Sequence, residues 1–220
     1  NSLCTLAWLS TPEVSGGGCV LSSPRSGALF TCDVEEYYSA LVPHTKWWQQ
    51  ESRLREPTQY LLECLKTHHI RGIFYILGDI ANCYPSLVKT IVEAGHLLGS
   101  HGYYHQHGEQ EGDASDRLAR ETIAQAPSCR WPQHYRSPYW DSTPRPGYAG
   151  GAFFRLLPYP VFHVDLLRSR HFSLPPHELD PGQPPLPGAP WWRYVGLATA
   201  REKLQRVLSE HTWRAPDDTR

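Results

Sequence analysis

Short apolar runs alternate with amphipathic segments through the middle of the chain, and this alternation is the strongest constraint on its fold. Residues 28–34, 71–77 and 96–100 are compact apolar runs typical of buried strands. Between them, residues 57–69 and 85–94 carry apolar side chains at helical spacing, and each segment begins with a proline. The order strand, helix, strand, helix, strand predicts an α/β fold with parallel strands.

The rest of the chain is less regular. Residues 113–126 and 199–211 are predicted to be helices, and residues 135–140 a fourth strand with its following loop. Residues 141–190 are rich in proline and glycine and are expected to be largely irregular, with order only at 153–159 and 161–167. Residues 1–27 are interpreted as a flexible arm, so residues 28–220 form one predicted domain.

Charge and hydropathy exclude several classes of partner. The 220 residues contain 21 Lys plus Arg against 22 Asp plus Glu, so neither nucleic acid nor an anionic membrane is expected as a partner. No apolar run approaches the ~20 residues that span a bilayer, and no signal-peptide pattern is visible. The expectation is a cytoplasmic protein, and the sequence does not indicate its oligomeric state.

His101 and His105 stand four residues apart, directly after the third predicted strand. On a helical turn, this spacing would direct both rings toward one ion, although chance could produce such a pair among twelve histidines. Acidic residues follow the first predicted strand, and Arg136 lies in the fourth. Because ligand sites of parallel sheets form at the carboxyl ends of the strands, these groups are expected to converge.

Two imidazoles and one carboxylate leave an open position on a zinc-like ion, which activates water and polarises a carbonyl. A second carboxylate would remain free as a general base. This combination predicts metal-assisted hydrolysis of an amide or ester.

Five segments, taken in order, resemble the NodB-like polysaccharide deacetylases. Residues 29–38 (Leu-Phe-Thr-Cys-Asp-Val-Glu-Glu-Tyr-Tyr) are similar to the Asp-Val-Glu-Asp-Tyr-Phe version of the first motif of that family. Residues 99–105 (Gly-Ser-His-Gly-Tyr-Tyr-His) are similar to its histidine motif. Residues 72–78, 93–96 and 136–138 also match in order.

The resemblance implies a distorted parallel (β/α) barrel, either complete or short of strands, that acts on an N-acetylated sugar or polysaccharide. It implies that His101 and His105 bind a divalent metal, most often Zn²⁺, with Co²⁺ or Ni²⁺ as alternatives. Asp33 would be the general base, and Arg136 would keep it ionised and oriented, because an adjacent cation favours the charged form of a carboxylate.

Other roles implied by the resemblance are less sharply assigned. Glu35 and Glu36 both remain candidates for the third metal ligand, with a slight preference for Glu36, which stands where close relatives carry aspartate. Tyr37, Tyr139 and Trp140 are candidates for contact with the sugar.

Two departures from the family pattern bear on activity. The family places a histidine, the general acid toward the leaving amine, where this chain has Pro175, within the run Leu-Pro-Pro-His-Glu-Leu-Asp-Pro at 174–181. His177 is the nearest substitute, two residues along a presumed strand, ahead of His163 and His171. The link from Arg136 to Gly150 is also shorter than in relatives.

These departures leave rival functions open. A non-catalytic relative that keeps the metal pocket is one alternative, and Pro175 favours it. A small-molecule amidohydrolase on the same fold is the other.

Overall fold

The computed structural model describes residues 27–106, 112–138 and 150–217. In these residues, five parallel strands form one sheet in the spatial order β4-β3-β2-β1-β5. The strands are β1 (Leu29–Val34), β2 (Gly72–Ile76), β3 (Leu97–Ser100), β4 (His134–Tyr135) and β5 (His171–Ser173). Because all strands run the same way, their carboxyl ends lie along one edge of the sheet.

Seven helices connect or flank these strands within the described ranges. They are α1 (Arg55–Thr67), α2 (Gly78–Cys83), α3 (Pro85–Glu93), α4 (Asp113–Gln125), α5 (Gly151–Leu156), α6 (Tyr159–Ser169) and α7 (Leu197–Glu210). Three short 3₁₀ helices, His44–Gln49, Pro176–Leu179 and Trp191–Tyr194, lie in the connections. No helix of the described ranges is long and apolar enough to cross a membrane.

The core lies between the sheet and its helices. Phe30 of β1 and Phe172 of β5 are fully buried and contact each other edge to face, with ring centroids 5.6 Å apart. Phe154 and Phe162, from α5 and α6, pack against Phe172 at 5.3 and 5.5 Å. Each buried aromatic ring contributes about 1.5–3 kcal/mol of hydrophobic stabilisation, so this cluster holds the C-terminal helices against the sheet.

The alternation of side chains along β1 divides the sheet into two faces. Phe30, Cys32 and Val34 point into the core, whereas Thr31 and Asp33 take part in a buried polar network. The polar face of β1 therefore places Asp33 at the carboxyl edge of the sheet.

The α/β fold with parallel strands agrees with the sequence prediction. Within the described residues the sheet is open, because β4 and β5 lie at its two edges. The order expected at 153–159 and 161–167 corresponds to α5 and α6, whereas β5 lies in a part of 141–190 that was expected to be irregular. The proposed arm, except for Gly27, and residues 139–149 lie outside the described residues.

Candidate active site

The carboxyl edge of the sheet brings together side chains from distant parts of the chain. Asp33 lies near the end of β1, His101 follows β3, and Arg136 follows β4. Backbone pairing continues past the strand ends: the His101 amide donates to the Ile76 carbonyl at 2.9 Å, and the Arg136 amide donates to the Ser100 carbonyl at 2.9 Å. The sheet itself therefore sets the position of these two residues.

Glu35, His101 and His105 form a buried cluster whose donor atoms all lie within 4.8 Å of one another. The His105 Nε2 atom is 2.7 Å from Glu35 Oε2, and the His101 Nε2 atom is 4.0 Å from the same oxygen. Two imidazoles and one carboxylate are a donor set that Zn²⁺ uses in hydrolytic enzymes. The chemistry of the cluster therefore fits a divalent cation.

The hydrogen bonding of His101 supports this fit. Its Nδ1 atom lies 2.9 Å from the Arg136 carbonyl oxygen, which can only accept a hydrogen bond, so Nδ1 carries the proton. In the neutral ring Nε2 then keeps its lone pair and faces Glu35. Burial lowers the pKa of His101 below its ordinary value, which favours the neutral form that binds metals.

The other two members of the cluster interact electrostatically. Burial alone would raise the pKa of Glu35, but the nearby imidazoles of His105, His177 and His101 outweigh burial and lower this pKa to about 2. Burial alone would lower the pKa of His105, and the Glu35 carboxylate raises it above its usual value. Glu35 is therefore a carboxylate at neutral pH, the form that binds a cation.

The segment that carries both histidines is a loop and not a helical turn. The first amides of α2 hold this loop: Gly78 N donates to the Gly102 carbonyl at 2.9 Å, and Asp79 N donates to the Tyr103 carbonyl at 3.2 Å. A side chain at Gly78 would collide with the Tyr103 ring. His105 has a φ of 53°, a left-handed conformation that costs about 1–3 kcal/mol at a non-glycine residue.

Asp33 is fixed by a second buried network beside the cluster. Arg136 Nη1 donates to Asp33 Oδ1 at 2.7 Å, and Ser173 Oγ donates to Asp33 Oδ2 at 3.2 Å. The guanidinium also stacks over the Tyr75 ring, 4.1 Å from its centroid. These contacts, together with Arg136 Nη2 donating to Thr31 Oγ1 at 2.9 Å, orient the carboxylate in one position.

Glu36 and Tyr37, two of the predicted site residues, are engaged elsewhere. The Glu36 carboxylate accepts hydrogen bonds from the Ser52 hydroxyl and, at 3.1 Å, from the Arg53 amide. Tyr37 is 1% exposed and packs against Tyr38, with ring centroids 5.0 Å apart. The structure therefore brings Glu35 and not Glu36 to the histidines, and the buried Tyr37 ring offers no surface for a sugar.

The two remaining candidates for sugar contact, Tyr139 and Trp140, lie outside the described residues. Their roles stay predictions.

His177 lies beside the cluster, but the backbone that places it there differs from the one expected from the sequence. Chain 176–179 is a 3₁₀ turn and not a strand extension, so the expected position one step further along a strand is wrong. The turn directs the His177 ring inward, with Nδ1 3.9 Å from Glu35 Oε1. The other candidates differ: His163 packs against the tilted ring of His211, with centroids 4.6 Å apart, and His171 contacts Thr31.

Comparisons with known proteins agree with this geometry. A family model described as polysaccharide deacetylase matches residues 48–142, which contain His101, His105 and Arg136. Over 50 residues the chain is 40% identical to the peptidoglycan-N-acetylglucosamine deacetylase of Bacillus cereus, covering 23% of this chain and 18% of that protein. Over residues 48–142 the chain is therefore similar to the polysaccharide deacetylases. Matches to three curated relatives span only 18%, 18% and 24% of their lengths.

Solved structures of similar proteins confirm the fold class of this chain. The peptidoglycan deacetylase PdaC from Bacillus subtilis aligns with a TM-score of 0.53 at 12% identity, covering 86% of this chain and 87% of that chain. A family 4 carbohydrate esterase pseudoenzyme from Bacillus anthracis aligns with a TM-score of 0.51 at 13% identity, covering 86% and 63%. At these identities the likeness shows a shared fold of the (β/α)-barrel type and nothing more.

Proposed function

We propose that this chain is a metal-dependent hydrolase that removes N-acetyl groups from an amino sugar or polysaccharide. The observation that carries the proposal is the buried Glu35, His101 and His105 cluster at the carboxyl edge of the sheet, beside the Asp33 and Arg136 pair. The names of the curated relatives support glycans that contain N-acetylglucosamine as the substrate class.

The proposed metal ligands are Glu35, His101 and His105. A divalent ion held by them, Zn²⁺ or in its place Co²⁺ or Ni²⁺, would activate water and polarise the acetyl carbonyl. The protein fixes the tautomer of His101 and keeps Glu35 ionised. His101 Nε2 and the Glu35 carboxylate can therefore bind the ion without first losing a proton.

Asp33 is the proposed general base. Its carboxylate takes a proton from the attacking water, while Arg136 and Ser173 hold it in one orientation.

His177 is the proposed general acid. Cleavage of the amide bond expels an amine, and that nitrogen must gain a proton as the bond to the carbonyl carbon breaks. Pro175 has no side-chain proton to give, whereas the His177 ring is buried beside Glu35. Acetate and a free amino sugar are then the two products.

A non-catalytic metal-binding protein is the second candidate function. Pro175 in the place of the family acid favours it, and the fold is shared with a pseudoenzyme. In this alternative the same three ligands hold the ion, but no amide is cleaved.

The direct test is acetate release from N-acetylglucosamine oligosaccharides and peptidoglycan fragments after loading with Zn²⁺, Co²⁺ or Ni²⁺. Wild-type protein should release acetate, and Asp33→Asn should lower the rate by on the order of 10²-fold or more. Asp116→Asn is the matched control, because Asp116 lies on α4 outside the metal cluster, and it should keep the wild-type rate.

Metal content decides between the candidates when acetate release is negative. If the wild-type protein retains about one ion per chain, and wild type and Asp33→Asn both release no acetate, the chain is the non-catalytic metal-binding protein. A protein that retains no divalent ion would overturn both candidates.

A further inference from the structure

The side chain next to the proposed acid is a buried carboxylate with two partners. Glu178 is 5% exposed, and Arg155 Nε donates to its Oε2 atom. On the other side, Glu178 Oε1 lies 3.4 Å from His177 Nε2. The carboxylate therefore stands between a guanidinium and an imidazole, and each of its oxygens has a different partner.

Arg155 is itself held in place. It lies on α5, is 7% exposed, and also donates from Nη1 to the Val195 carbonyl. Because two acceptors from different segments fix the guanidinium, Glu178 cannot rotate away without leaving a buried charge unpaired.

The backbone of the turn restricts His177 as well. The Glu178 amide donates to the Pro175 carbonyl at 3.1 Å, and the Asp180 amide donates to the His177 carbonyl at 3.2 Å. With Nε2 facing a carboxylate that can only accept, the opposite nitrogen, Nδ1, is directed toward Glu35. His177 Nδ1 is buried and has no hydrogen-bond partner among the described residues.

We propose that Glu178, clamped by Arg155, is a positioning residue that holds the His177 ring with Nδ1 facing the metal cluster. The inference rests on the proposed deacetylase function for its catalytic consequence. Held in this way, His177 in the 3₁₀ turn can supply the general acid that the family places at the position of Pro175. His177 lies outside the donor set whose atoms are all within 4.8 Å of one another, which favours the role of an acid over that of a fourth ligand.

The kinetic test compares an amide with an activated ester. An amine leaving group needs a proton, whereas 4-nitrophenolate leaves without one, so loss of acid catalysis affects amide cleavage selectively. Zinc-loaded His177→Ala and Glu178→Ala should each lose on the order of 10-fold or more in kcat on an N-acetyl oligosaccharide and little on 4-nitrophenyl acetate. The double variant should lose no more than His177→Ala alone, because both changes remove one function.

The control uses an ion pair on α4, away from this turn. Asp116 pairs with Arg120 at 2.9 Å, and Asp116→Asn should leave both rates unchanged. If Glu178→Ala does not fold, the variant Arg155→Met, Glu178→Met removes both charges from the interior together. It should show the same loss of kcat on the amide and little loss on the ester. Equal losses on amide and ester, or multiplicative losses in the double variant, would overturn the inference.

A measurement without turnover separates this inference from the proposed function. In ¹⁵N-histidine-labelled wild-type protein, the His177 Nε2 proton should give a slowly exchanging NMR signal. This signal should disappear in Glu178→Ala and persist in Asp116→Asn. Its absence from the wild type would contradict the positioning role, whereas a wild type that shows the signal but releases no acetate would contradict only the deacetylase function.

Discussion

At the scale of single residues, the choice between Glu35 and Glu36 is made by the direction in which each side chain leaves the backbone. Glu35 faces His101 and His105, and Glu36 accepts hydrogen bonds from the segment that begins at Ser52. The two carboxylates therefore have separate roles, and substitution to glutamine separates them.

Glu35→Gln should weaken zinc binding by about 10-fold or more, because an amide oxygen replaces the only carboxylate in the cluster. Glu36→Gln should bind zinc as the wild type does. Competitive titration with a chromogenic chelator measures both affinities. Equal weakening in the two variants would reject Glu35 as the specific ligand.

At the scale of secondary-structure elements, α7 supports the turn that carries His177. This helix packs against α1, α5 and the 3₁₀ helix Pro176–Leu179. Leu204 of α7 is fully buried, whereas Glu202 of the same helix is exposed. The apolar face of a helix far along the chain therefore helps to hold the carboxyl edge of the sheet.

Leu204→Ala should lower the free energy of unfolding by about 2–5 kcal/mol, since it removes buried methyl groups and leaves a cavity. Glu202→Ala should change this free energy by less than about 0.5 kcal/mol. Urea denaturation followed by circular dichroism compares the two variants with the wild type. A similar small change in both would show that α7 does not pack on the core as described.

At the scale of the whole molecule, stability depends on a histidine kept neutral in the interior. His96 is 6% exposed, and the Gly72 amide donates to its Nδ1 atom at 3.1 Å, an interaction that requires the neutral ring. Burial, assisted by the charge of Arg71, lowers the pKa of His96 to about 4. The unfolded chain, with the ordinary pKa of about 6.5, gains this proton first as the pH falls.

The stability contributed by His96 should therefore be complete above about pH 6.5 and decrease as the pH falls to about 4. The decrease should be about 3 kcal/mol if the native fold persists. His96→Asn keeps an acceptor for the Gly72 amide and removes the titration, so its stability should fall less over this range. Urea unfolding at pH 7, 5.5 and 4 checks the difference, and parallel pH profiles would contradict the assignment.

Much of the fold and part of the site follow from the sequence alone. Apolar runs of strand length alternating with amphipathic helices determine β1, β2, β3, α1 and α3, because such segments bury their apolar faces only in a layered α/β fold. Parallel strands then require that residues after β1, β3 and β4 meet at one edge. The approach of Asp33, His101 and Arg136 was predictable for this reason.

Only the tertiary structure decided the details of the site. α2 has six residues, too few to show a helical period, yet its amides hold the histidine loop. Glu35 and Glu36 have the same chemistry, so packing around β1 distinguishes them. His177 enters the site through a 3₁₀ turn, and Glu178 and Arg155 meet from segments 23 residues apart. Local sequence determines which elements form, whereas the direction of each side chain depends on contacts between elements that no local pattern encodes.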